Sequence, residues 1–272
     1  MSQKLIIDAK KTGFSLGISD LIAYRDLFVV MAYRDFRVRY AQTYMGFLWA
    51  FIQPAITLCV FLFVFGKNTQ SQIGNTPYLL FAATGLAAWS YFSFVVNQSG
   101  AAMITSQEMI KKIYFPRLVI PLSKALVGLI DFGVVLLLVI AIMFYYDYTP
   151  SIKIVWLPAW LLLILLSALG GGIGLSALSI RYRDFQHVSG FLVQLGMFLT
   201  PIAYPSTNIP EKYQVIYFLN PMAGIAEGFR WSLLNNYALP AYAWVSVVST
   251  ILFFGVAIVF FKKIEYKIAD LL

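Results

Sequence analysis

The segment LVIPLSKALVGLIDFGVVLLLVIAIMFYY, residues 118–146, decides the fold class. As a helix at about 1.5 Å per residue it would extend roughly 44 Å, more than the ~30 Å hydrocarbon core of a bilayer. Beyond Lys124, near its start, its one charged side chain is Asp131. No soluble core needs so long an apolar run, and the rest of the chain agrees: mean hydropathy is +0.78, with 12% charged and 17% aromatic residues in 272. Stretches of comparable character occupy 46–66, 78–98, 154–180, 185–204 and 241–261. The expected fold is therefore an all-α integral membrane protein with six transmembrane helices.

Charge fixes the expected orientation. If the amino terminus is inside, only Lys67, Lys153, Lys212 and Arg230 of the 20 Lys and Arg fall outside. That bias puts both termini in the cytoplasm. It also accounts for the net charge of +8, so no nucleic-acid partner is implied. The words YRDL (24–27), YRDF (33–36) and YRDF (182–185) then all fall on the inner side. No 20- to 50-residue period and no Gly/Ser linker divides the chain. A single transmembrane domain over 1–272 is expected, with a cytoplasmic and interfacial segment at 1–44 and the bundle at 45–272.

Three segments do not read as simple spans. AYRDLFVVMAYRDFRVRY (23–40) puts Tyr24, Leu27, Phe28 and Met31 near one helical face and its charges elsewhere, the pattern of an amphipathic helix in the membrane interface. The first 44 residues lack a short apolar core followed by a small-residue cleavage site, so they are expected to stay in the cytoplasm. ITSQEMIKKIYFPR (104–117) has capping-box spacing from Thr105 to Glu108, with Met109, Ile110 and Ile113 on one face and Lys111 and Lys112 on another. It predicts a short cytoplasmic helix closed by Pro116. Residues 200–240 are apolar but interrupted by Pro201, Pro205, Pro210, Pro221 and Pro240, which predicts short helices dipping into the outer leaflet, broken near Pro205–Pro210 and at Pro221.

Several chemistries are excluded by what the spacing lacks. The Gly66-Lys67 pair has neither the preceding Gly nor the following Ser/Thr of a phosphate-binding loop, so ATP is not hydrolysed by such a loop here. His187 has no His or Cys at ligand spacing, and Cys59 sits alone in an apolar run, so no metal or cofactor is expected in this chain. No serine lies in a nucleophile-elbow context, which argues against an enzyme. Asp131 is the in-membrane polar site; it is either hydrogen-bonded within the bundle or part of a substrate path. Gly170 and Gly174, at GxxxG spacing, read as close helix packing or a flexible point. Glu227 and Arg230, three residues apart, read as an ion pair on a short outer helix.

Four longer words then make the chain recognisable: DFRVRYAQTYMGFLWAFIQPAI (35–56), KKIYFPRLVIPLSKAL (111–126), RYRDFQHVSGFLVQLGMFLTPIAYP (181–205) and FLNPMAGIAEGFRWSLL (218–234). In this order, over nearly the whole length, they resemble the membrane subunits of polysaccharide-export ABC transporters, the exporters of O-antigen, capsule and teichoic acid. The resemblance implies a homodimeric permease in the bacterial cytoplasmic membrane, moving a lipid-linked polysaccharide. It further implies two copies of a cytoplasmic ATPase that carry the ATP and Mg. Ser106, Glu108, Met109, Ile110, Lys111, Lys112 and Ile113 would form the coupling helix. Arg34, Arg37, Arg39, Arg181, Arg183 and Asp184 would mark the cytoplasmic interface. Pro205, Pro210, Pro221, Glu227 and Arg230 would belong to the outer gate. For the arginines, topological anchoring and contact with the ATPase or a lipid pyrophosphate remain the two readings. A permease for a drug or small lipid, a membrane-embedded glycan enzyme and a proton-driven carrier are the competing functions.

Overall fold

The computed structural model describes residues 18–40, 46–113, 115–182 and 184–265. Its α-helices are α1 (Ile18–Ala23), α2 (Arg25–Tyr40), α3 (Trp49–Gln70), α4 (Tyr78–Thr105), α5 (Gln107–Lys112), α6 (Val119–Tyr145), α7 (Leu157–Arg181), α8 (Phe185–Leu199), α9 (Glu211–Tyr217), α10 (Pro221–Leu233) and α11 (Ala243–Glu265). Five are long and apolar enough to cross a membrane: α3 with the preceding turn, α4, α6, α7 with the preceding turn, and α11. The fifth expected span differs. There α8 ends at Leu199 after 15 residues, about 22 Å, and the chain continues without helix through Pro201 to Tyr204.

The central helix is α4, buried along most of its length and packed against α3, α6, α7, α8 and α10. Small residues make this possible: Ala82, Ala83, Gly85, Ala87 and Ala88 let neighbouring backbones approach, which is how helices associate where lipid removes the hydrophobic drive. A Cβ on Gly85 would lie 3.3 Å from the backbone of Ile202. The polar groups buried beside α4 are tied across helices. Tyr91 donates to the Ala125 carbonyl at 3.2 Å and Ser99 to that of Pro121 at 2.9 Å.

Contact register gives the helix directions. Gly170 and Gly174 of α7 face Phe253–Phe254 and Ala257 of α11, and Gly171 faces Val96 of α4, so α4, α7 and α11 run parallel. In contrast, α6 is antiparallel to α4, since Pro121 meets Ser99 and Gly128 meets Tyr91. The same is true of α8, where Gly196 sits over Trp89 and Ile202 reaches Gly85. Close helix packing is realised at Gly170, where an added Cβ would lie 2.9 Å from the Phe253 ring and 3.2 Å from the Phe254 backbone, whereas at Gly174 it would meet only Ala257 at 3.9 Å. Even tighter is Gly228 of α10, whose added Cβ would overlap the Trp160 indole of α7. Gly228→Ala is expected to cost about 1–3 kcal/mol by overpacking, read as a lower melting temperature of the detergent-purified protein.

Candidate functional site

Several polar side chains of α3, α4 and α6 converge on a cavity of about 700 Å³. Its walls come from α2, α3, α4 and α6, with Met197 of α8 at one edge. On α4 the residues Ser90, Ser93, Asn97 and Gln98 share one face and line it, opposite Gln53 and Thr57 of α3; Trp49, Trp89 and Phe94 supply aromatic surface. Pro54, inside α3, has no N–H to offer the carbonyl of Ala50, and both residues line the cavity. The lining thus combines amides, hydroxyls and a backbone acceptor with flat aromatic faces, a set that can hold a hydroxyl-rich solute without a fixed charge.

One end of this cavity is charged. Asp131 of α6 pairs with Arg39 at 2.8 Å and accepts a hydrogen bond from the Tyr40 hydroxyl. Asp35, one turn earlier on α2, pairs with Lys124 of α6 at 2.6 Å and with its neighbour Arg34 at 2.9 Å. The Arg39 guanidinium also lies 4.4 Å from the Phe94 ring centre. Two of the predicted residues, Arg39 and Asp131, are therefore brought together, and sequence reasoning missed their companions Asp35, Tyr40 and Lys124. The four-residue spacing of Asp35 and Arg39 was the available signal, since i and i+4 share a face. Asp131→Asn retains an acceptor for Tyr40 but removes the charge opposite Arg39. With Arg39 38% exposed, the expected loss is about 1 kcal/mol or less, read as a small fall in the melting temperature of the detergent-purified protein.

The interface segment differs from a single helix. It breaks at Tyr24 between α1 and α2. Leu27 and Phe28 pack on the core beside buried Met31, as expected, while Arg37 is exposed 5.9 Å from the Tyr33 ring. The three YRD words have three fates. Asp26 pairs with its exposed neighbour Arg25 at 3.8 Å, Asp35 docks α2 on α6, and the third word turns the chain from α7 into α8. There Asp184 is exposed and makes no side-chain cap; Arg181 is exposed near the Tyr182 ring, and Arg183 lies outside the described residues.

The segment after α4 forms α5 as expected but starts differently. The Thr105 hydroxyl donates back to the carbonyls of Ala101 and Ala102, and Ser106 precedes α5 without a side-chain cap. The capping box is therefore not made, because Thr105 still belongs to the last turn of α4. Met109 and Ile110 pack on the core, whereas Glu108, Lys111, Lys112 and Ile113 are exposed. Ile113 ends the helix in an extended conformation.

The proline breaks fall close to where they were expected. Pro205 precedes a short turn at Ser206–Asn208, Pro210 precedes α9, and Pro221 opens α10, where the Asn220 side chain accepts from the Met222 N–H at 3.0 Å. Glu227 and Arg230 do pair, at 3.4 Å, but both are 0% exposed. Arg230 donates to the carbonyls of Phe81 (3.2 Å) and Ile202 (2.8 Å) and lies 3.6 Å from the Phe81 ring centre. Glu227 accepts from the Ser206 N–H at 3.2 Å and the Tyr237 hydroxyl at 2.5 Å. Burial, reinforced by Glu227, holds Tyr237 above the ordinary phenol range, so it remains a donor. The pair thus joins α4, α10 and the irregular segment after α8. It satisfies a carbonyl that the break at Pro201 leaves without a helical partner; Tyr78 does the same for Ala203 at 3.0 Å.

Comparison with known proteins adds the family. Residues 26–234 match the profile of the ABC-2 type transporter family. The O-antigen export system permease protein RfbA of Klebsiella pneumoniae is 31% identical over 91% of this chain and 95% of its own. RfbA of Myxococcus xanthus is 29% identical over 85% and 91%, and the polysialic acid transport protein KpsM of Escherichia coli is 25% identical over 75% and 80%. Among the described residues no group of three His, Cys, Asp or Glu is arranged to hold a metal ion. The profile takes in α2 to α10 and the relatives are matched along most of their length: the chain belongs to the ABC-2 type transporter family.

Proposed function

We propose that the chain is the permease of an ATP-driven exporter that moves a lipid-linked polysaccharide across the bacterial cytoplasmic membrane. The observation that carries this reading is the 700 Å³ cavity, with its amides, hydroxyls and aromatic rings, in a chain whose relatives bear the names of O-antigen and polysialic acid exporters. Sugar rings offer both hydroxyls and apolar faces, so such a lining binds them weakly and repeatedly rather than tightly once. A small apolar drug would not call for Gln53, Asn97 and Gln98 in a membrane interior, where unpaired amides are costly.

In this reading two copies face one another and close the cavity into a passage. The apolar flanks α3 and α8 favour that arrangement: Phe63 is 91% exposed and Leu199 67%. The exposed part of α5 meets a cytoplasmic ATPase, two copies per dimer, which supplies ATP hydrolysis with Mg. Both termini are cytoplasmic, α8 and the segment after it complete a sixth crossing, and α9 and α10 form the outer gate. The pair Glu227–Arg230 holds that gate from inside the bundle rather than lining it. Arg34, Arg37 and Arg39 lie where the lipid-linked substrate would be admitted.

Cells lacking the chain test this. Lipid-linked glycan is expected to accumulate in the cytoplasmic leaflet while surface polysaccharide is lost, with rescue only when the ATPase is intact. Unchanged pools, in a strain without a parallel exporter, would sink the assignment.

A further inference from the structure

On the other side of α8 from the polar cavity lies a second groove, of about 430 Å³, between α8 and α11 with α7 and α4 as its floor. Trp89 lines both spaces. The lining is almost wholly apolar, and Gly170, Gly171 and Gly174 hollow out its floor. From Ser189 to Thr200, its limits along α8, the height is about 16 Å, close to the hydrocarbon depth of one leaflet. The rim is apolar and open: Val256 is 68% exposed.

The groove ends on cations. Gly174 and Leu178 of α7 continue at helical spacing to Arg181, and Val256 and Phe260 of α11 to Lys263. The two helices run parallel with Gly170 beside Phe253–Phe254 and Gly174 beside Ala257, so Arg181 is level with Lys263 and Ile264. Both are exposed, and among the described residues no carboxylate pairs with either. Lys262, by contrast, is taken by Glu265 at 2.9 Å. Asp184, three residues beyond Arg181, is exposed and outside ion-pair distance of both.

We propose that this groove binds one hydrocarbon chain of an anionic phospholipid, whose phosphodiester head group lies between Arg181 and Lys263. A neutral lipid would fill the groove but leave the two cations unanswered. A second copy of this chain would have to bring carboxylates to that mouth. The site is independent of which solute the permease moves.

The test is photolabelling of the full-length protein in phosphatidylcholine vesicles. A few mole per cent of either phosphatidylglycerol or phosphatidylcholine carries a diazirine near the end of one chain. The phosphatidylglycerol probe is expected to label α8 and α11 groove residues about fivefold or more above the phosphatidylcholine probe, while both label the region of α6 around exposed Leu137 equally. Arg181→Gln with Lys263→Gln should erase that preference. Gly174→Leu, where an added Cβ meets only Ala257 at 3.9 Å, should reduce groove labelling by both probes. Equal labelling by the two probes, or a preference that survives the double charge removal, overturns the proposal. So does cross-linking of two copies through the groove, which would make it a subunit interface. None of these readouts uses export, so a failed substrate assignment leaves the test intact.

Discussion

Arg230→Leu is expected to lower the stability of the folded protein by about 3–5 kcal/mol, the loss typical when one partner of a buried ion pair is removed. The side chain is fully buried, and its guanidinium serves the Phe81 and Ile202 carbonyls as well as Glu227. Leucine would leave Glu227 without its cation and the Ile202 carbonyl without a donor at the proline break. The measurement is chemical unfolding of the purified protein in mild detergent, alongside Glu227→Gln and the double substitution. Glu227→Gln keeps hydrogen-bonding capacity for Ser206 and Tyr237 and removes charge, so it should cost less. If Arg230 acts through Glu227, the double substitution will fall well short of the sum of the singles. A loss below about 1 kcal/mol for Arg230→Leu, within the range of an exposed pair, would show that the cluster does not hold the outer helices.

Ile113→Asp is expected to abolish export while leaving insertion and the helical bundle unchanged. Ile113 is 50% exposed, in a stretch where Met109 and Ile110 already pack inward, so the substitution disturbs no core. Flanked by Lys111 and Lys112 on the exposed side, it offers an apolar knob with a basic collar, suited to a partner groove rimmed by carboxylates. A buried hot-spot residue of this type contributes about 2–4 kcal/mol to docking, roughly 30- to 1,000-fold in affinity. Co-purification of the proposed ATPase partner with this chain measures that loss directly. Export lost with ATPase binding intact would move Ile113 from docking to transmission of the stroke. Both unchanged would remove α5 from the coupling surface.

The legible part of this protein was its one-dimensional part. Apolar length gave four of the five long spans to within four residues at each end, while α4 runs seven residues past its expected end, to Thr105; proline positions gave the starts of α9 and α10, because both depend on local backbone chemistry. The exposed and inward faces of α2 followed from its spacing. Less legible was α8. Its expected span counted Thr200–Tyr204 as helix on hydropathy, yet Pro201 breaks it, and the freed carbonyls are tolerated because Arg230 and Tyr78 come from other helices to meet them.

Charged residues show the division most plainly. Sequence alone determined that the chain lives in a membrane, roughly where it crosses and which loops carry the positive charge, since these follow from transfer of side chains between water and lipid. It named Asp131, Glu227 and Arg230 as charges needing a reason but supplied partners only for the last two, three residues apart. That Asp131 is held by Arg39 and Tyr40 of α2, that Asp35 holds Lys124, and that identical YRD words dock in one place and turn the chain in another, only the tertiary structure decided. A buried charge must be neutralised by whatever lies nearest in space, and here that neighbour is about ninety residues away along the chain.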